Sequence, residues 1–165
     1  MLHIRTAQPS DVSTIQSIAY AAWRPTYGAI LSEEQSQFML DWMYSTETLT
    51  KSFTDQIVFL LAYDNQKTAV GFAAFELKEN QLVKLHKIYF LPDQQGRGYG
   101  RQLLEEVFRQ ALQRGGHFLE LNVNRSNSAR QFYERLGFEF SREEDNYIGR
   151  GYWMNDYVLR KELGV

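Results

Sequence analysis

The chain contains no cysteine, which excludes disulfides, thiolate metal sites and a cysteine nucleophile. Proline is scarce, 3 in 165 residues, and no low-complexity stretch or internal repeat marks a linker, so the chain reads as one domain, residues 1–165. An excess of charge of one sign is missing as well. With 18 Lys and Arg against 20 Asp and Glu the net charge is −2, and without a basic field neither nucleic acid nor a membrane surface is an expected partner. No apolar run approaches membrane-spanning length, and Met1 to Ser10 has no signal-peptide core, so the expected location is cytoplasmic. His3, His86 and His117 show no clustered ligand spacing, and no metal is expected.

What is present is a well-stocked core: 44% of the residues are hydrophobic and 15% aromatic, enough for a folded domain of this length. Leu2 to Thr6 alternates like a strand, and Val12, Ile15, Ile18, Ala19, Ala22 and Trp23 then make one helical face, ended by Pro25 and Gly28. Ser32 with Gln35 resembles a capping box ahead of the stripe Phe38, Met39, Trp42 and Met43, and Ser45 to Thr54 adds a short third helix. From Ile57 the period becomes extended, giving strands at Ile57 to Tyr63, Ala69 to Leu77 and Val83 to Phe90 joined by polar turns: an antiparallel meander.

The centre of the chain is Gln95-Gly96-Arg97-Gly98-Tyr99-Gly100. An apolar strand precedes it, and Leu103, Leu104, Val107, Phe108, Ala111 and Leu112 follow at helical spacing, so the glycines sit where a strand becomes a helix. Unpaired amides and the positive end of the helix dipole make such a junction an anion site. Phe118 to Val123 is the next strand, parallel to the one before the helix. Ala129 to Leu136 is a short helix closed by Gly137, and Phe138 to Leu163 reads as two strands turning near Gly149-Arg150-Gly151. The class is α+β, a mixed, mostly antiparallel sheet of six to seven strands.

Two phosphate loops fail by counting. A P-loop needs Gly-Lys-Ser/Thr where this chain has Gly100-Arg101-Gln102, and a dinucleotide fingerprint needs a third glycine where Arg101 or Leu103 stands. The pattern Gln/Arg-x-x-Gly-x-Gly/Ala, here Gln95, Gly98 and Gly100, resembles the acyl-CoA pyrophosphate loop of the GNAT superfamily of N-acetyltransferases. A second signature agrees, Ala129-x-x-Phe132-Tyr133-x-x-x-Gly137-Phe138. Trp23-x-x-x-Tyr27 and the segment Ile148 to Tyr157 are similar to the PaiA-like branch of polyamine acetyltransferases.

The resemblance implies a GNAT fold with helices on both sheet faces, acetyl-CoA as acyl-donor substrate, and direct attack by a primary amine in a ternary complex. It implies that Ile88, Tyr89 and Phe90 bind the pantetheine arm as a neighbouring strand would, one amide polarising the acetyl carbonyl. Gln95, Gly96, Arg97, Gly98, Tyr99, Gly100 and Arg101 would hold the pyrophosphate, since guanidinium and free amides suit its oxygens. Tyr133 matches the family's general acid, positioned to protonate the leaving thiolate. His86 stands where relatives often carry Glu and titrates in the range useful to a base; Glu120 and Asn122 remain alternatives acting through water. The family's asparagine lies seven residues before the tyrosine, at Ser126, while the offset from Val123 selects Asn127. Trp23, Tyr27, Asp156 and Tyr157 are candidates for the acceptor pocket, where aromatic walls and a carboxylate would suit an ammonium. The acceptor is expected to be a polyamine or other small amine, the rival being a protein N-terminus or lysine. A homodimer is left open, and a non-catalytic acyl-CoA sensor is the alternative of a different class.

Overall fold

A computed structural model describes residues 1–164. The elements follow in the order β1 (His3–Thr6), α1 (Val12–Tyr27), α2 (Glu33–Tyr44), α3 (Thr46–Thr54), β2 (Val58–Tyr63), β3 (Ala69–Leu77), β4 (Leu82–Phe90), α4 (Tyr99–Gln113), β5 (Phe118–Asn124), α5 (Ala129–Arg135), β6 (Glu139–Gly149) and β7 (Tyr152–Glu162). One seven-stranded sheet runs β1-β2-β3-β4-β5-β7-β6, and only the β4–β5 pair is parallel. The helix between those two strands accounts for that pairing, because a parallel neighbour needs a crossover.

Strand alternation divides the apolar residues between two cores. Leu60, Ala73, Phe75, Leu119, Leu121 and Val123 face α4 and α5, whose Leu103, Leu104, Val107 and Tyr133 cover them. Phe59, Leu61, Phe72 and Ala74 face the other way, under Ile15, Trp23, Met39, Tyr44 and Leu49 of α1, α2 and α3. Helices therefore occupy both faces, as expected from the resemblance. On the α1–α3 side the cover is incomplete: β5, β7 and β6 present Glu120, Asn122, Asp156, Arg142, Glu144 and Asn146, which bond one another.

Two local expectations are corrected. Helix α1 ends at Gly28, its C-cap, as expected, but does not stop at Pro25; it runs through the proline to Tyr27. The ring removes a donor that Ala21 C=O would have used, yet Thr26 Oγ1 bonds Ala22 O at 2.9 Å and the helix gains a last turn. Only half of the capping box forms: Ser32 Oγ accepts from Gln35 N–H at 3.1 Å, while the Gln35 amide turns away to Trp153 O at 2.9 Å.

Candidate functional site

The site begins with one surplus residue in β4. Phe75 opposes Leu85 and Ala74 opposes Lys87, so His86 is an extra residue with no partner in β3, a β-bulge. The alternation changes phase there. Val83 and Leu85 belong to the α4 side, and after the bulge Ile88 and Phe90 do, while Tyr89 joins the core under α1. A bulge bends its strand. Pairing between β4 and β5 runs from Leu82 opposite Phe118 to Leu85 opposite Leu121 and goes no further. Beyond it the strands part, and a cleft of about 700 Å³ opens between His86–Phe90 on one side and Asn122 and Val123 on the other. The backbone groups facing the gap lack the neighbour that a continuous sheet would supply. Gly71 helps shape the end of β4, since a side chain there would meet the Phe90 ring at 2.4 Å.

Beneath the gap lies the glycine loop. Gly96 and Gly98 have φ of +79° and +77°, the left-handed region, and Gly98 is the N-cap of α4 with no side-chain cap. Gln102 N–H, bonding Gly98 O at 3.2 Å, is the first helical donor, so the amides of Tyr99, Gly100 and Arg101 come before it, have no helical acceptor and remain available. Gly100 has an ordinary φ, and the space beside it is tight: a Cβ there would stand 3.3 Å from the Phe132 ring of α5. Gln95, Gly96, Gly98, Tyr99, Gly100 and Arg101 all line the cleft, whereas Arg97 is exposed outside its lining. Arg101 bonds Glu105 at 3.0 Å, an exposed pair one helical turn long.

Tyr133 lines the same cleft from α5. Its ring packs edge-on against Phe132 and Phe138, at 5.3 and 5.6 Å, so the packing role and a chemical role coexist. Burial pushes its hydroxyl well above the ordinary phenol range, with the Tyr27 phenol a second cause. The group is therefore a protonated donor at neutral pH. Ser126 and Asn127 both line the cleft. Asn127 Oδ1 accepts from Ala129 N–H at 2.9 Å, which caps α5 and fixes that side chain.

His86 lines the cleft at the bulge, its side chain 30% exposed and its Nε2 2.7 Å from Glu76 Oε1. Burial lowers its pKa against the pull of Glu76, which favours the neutral ring. With Nε2–H donated to Glu76, the lone pair sits on Nδ1. Of the two alternatives, Asn122 lines the cleft, but Glu120 does not and is engaged by Arg142 at 3.2 Å and Arg160 at 3.5 Å.

The four acceptor-pocket candidates separate. Tyr27 lines the cleft, delivered by the turn after Pro25, and Trp23 lies behind it with ring centroids 4.6 Å apart. The hydroxyls of Tyr27, Tyr44 and Tyr89 face one another, and burial pushes all three upward. Asp156 is buried behind the lining, its Oδ2 accepting from Asn122 and Asn146 at 3.1 Å each. Tyr157 lies on the opposite face, its ring under Arg130 at 4.7 Å and against Phe140. Sequence reading missed Glu76 and the bulge; the bulge leaves a signal, because the apolar positions 83, 85, 88 and 90 contain one step of three. Among the described residues no helix is long and apolar enough to cross a membrane.

Comparison with known proteins adds four findings. Residues 28–161 match the acetyltransferase (GNAT) domain family. The spermidine N(1)-acetyltransferase of Thermoplasma acidophilum is 28% identical over 144 residues, covering 84% of this chain and 88% of that protein. The [ribosomal protein bS18]-alanine N-acetyltransferase of Haemophilus influenzae is 32% identical over 114 residues, 69% of this chain and 75% of that one. Among solved structures, PaiA N-acetyltransferase from Thermoplasma acidophilum in complex with coenzyme A superimposes with a TM-score of 0.83 at 27% identity, covering 98% and 99% of the two chains.

Proposed function

The chain belongs to the GNAT family of acetyltransferases, and from that premise we propose that it transfers acetyl from acetyl-CoA directly to a small primary amine in the cleft between β4 and β5. The observation that carries this reading is the coincidence, in one cleft, of an unpaired strand edge, a row of free amides and the buried hydroxyl of Tyr133. The edge of Ile88, Tyr89 and Phe90 offers the hydrogen bonds of a missing strand to a pantetheine arm. The amides from Gly98 to Arg101 suit a pyrophosphate, and the open space at Gly96 and Gly98 lets it approach the backbone.

The reaction needs a neutral amine, a polarised carbonyl and a protonated leaving sulfur. His86, its imidazole oriented by Glu76, takes a proton at Nδ1 from the bound ammonium, and the neutral amine so formed attacks the acetyl carbon. An amide of β4 stabilises the developing oxyanion, an interaction worth about 3 kcal/mol where a single donor has been removed in other enzymes. Tyr133 then gives its proton to the departing thiolate.

The test is release of free CoA from acetyl-CoA across amines that include spermidine and a peptide beginning with alanine. Turnover on at least one acceptor supports the reading. Tight acetyl-CoA binding without turnover on any of them would instead favour a non-catalytic acyl-CoA sensor.

A further inference from the structure

One aromatic face of α2 is only partly covered, and no step of acetyl transfer uses it. Trp42 is 51% exposed and stacks on half-buried Phe38, the ring centroids 6.2 Å apart and the planes 15° from parallel. Tyr152, at the start of β7, meets the same Phe38 ring at 5.6 Å, and Arg150, in the turn between β6 and β7, lies over it at 5.0 Å. Single exposed apolar residues are ordinary on a protein surface. A contiguous group of Trp, Tyr, Phe and Arg has instead the composition of a contact centre.

Charge is ordered across this patch in strips. Glu34 and Asp41 are both exposed, lie two helical turns apart and so share one edge of α2, with Phe38 and Trp42 as the row beside them. Gln35 marks the far edge. Its amide bonds Trp153 O at 2.9 Å, which puts the β6–β7 turn and Arg150 on the flank away from the two acids. Asp41 accepts from the neutral amide of Gln37 at 2.8 Å, and among the described residues no ion pair engages Glu34, Asp41 or Arg150. The order is acid, aromatic, base.

Such an order complements itself. A two-fold axis through the Phe38–Trp42 row lays the basic strip of one copy on the acidic strip of the other, twice over, and brings the aromatic rows together. An anionic lipid surface would meet the two acids, and a partner of one charge sign would leave one strip facing its like. We propose that two copies of this chain associate through the patch, each Arg150 meeting the partner subunit's Glu34 and Asp41. Helix α2 follows the turn whose Ala29 and Ile30 line the cleft, so the contact also steadies one rim of each cleft.

Sedimentation of the full chain tests this, and because association is read as mass the result stands apart from whether the cleft transfers acetyl. At micromolar concentration the wild type should sediment at twice the chain mass, and Trp42→Ala should weaken association by about tenfold or more. Arg150→Glu makes the patch wholly acidic, and the double variant Glu34→Lys with Asp41→Lys makes it wholly basic. Each alone should be a monomer with the circular dichroism of the wild type, and an equimolar mixture of the two should regain the dimer, since only the mixed pair sets opposite charges together at both contacts. A monomeric wild type, a dimer that survives in either charge variant, or a mixture no more associated than its parts would overturn the proposal.

Discussion

At the scale of single residues, two side chains carry separable expectations. Tyr133→Phe keeps the ring that packs on Phe132 and Phe138 and removes only the hydroxyl. It should lower kcat by about a hundredfold, the low end for a lost general acid, with calorimetric affinity for acetyl-CoA retained; unaltered turnover would remove Tyr133 from the chemistry. His86 has its pKa depressed, mainly by burial. A base must be unprotonated, so kcat should hold on descending through pH ~6.5, the ordinary histidine value, and fall only at lower pH. His86→Gln should be slower at every pH and lose that acid limb in a pH–rate profile. The same depression carries a stability term of known sign. The unfolded chain binds the proton more readily, so the term favours the folded state above the ordinary value and is lost as pH falls through the folded one. Tyr133 and the glycines were legible in the sequence because their spacing is a pattern. Glu76 was not, because what distinguishes it is a cross-strand contact.

At the scale of elements, the loop and the bulge do different work. Gly96 and Gly98 are required by backbone conformation, while Gly100 sits close to α5, where a Cβ would press on the Phe132 ring at 3.3 Å. Valine at 98 would be held in the left-handed region at a cost of about 1–2 kcal/mol or more, or would unwind the start of α4. Gly98→Val should therefore abolish measurable acetyl-CoA binding while circular dichroism still reports a folded protein; binding at wild-type affinity would exclude the loop from the site. All seven strands and five α-helices of the described residues could be read from hydrophobic period and turn residues, although β2 and β3 are buried on both faces and β6 has no buried residue. The placing of β7 between β5 and β6 could not, since pairing order depends on contacts far apart in the chain. The extension of α1 beyond Pro25 was also hidden: the local rule for proline was overridden by one further helical turn packed at the cleft.

At the scale of the whole molecule, the sheet is divided between two apolar layers and an uncovered polar quarter, and the cleft lies where these regions meet. The parting of β4 from β5 has a thermodynamic corollary. Beyond Leu85 opposite Leu121 the two strands no longer pair, so backbone groups of β4 along the gap have no strand partner. A ligand that pairs with this strand edge binds only the folded chain, so heat resistance should track its concentration. At a hundred times the dissociation constant the gain is about 2.7 kcal/mol, and for a domain of this size that raises the melting temperature by roughly 5–10 °C. Thermal scans across a CoA titration would measure it, and a midpoint indifferent to CoA would mean that nothing occupies the gap. Folding and substrate capture would then be two stages of completing one sheet, the last strand being supplied from outside the chain.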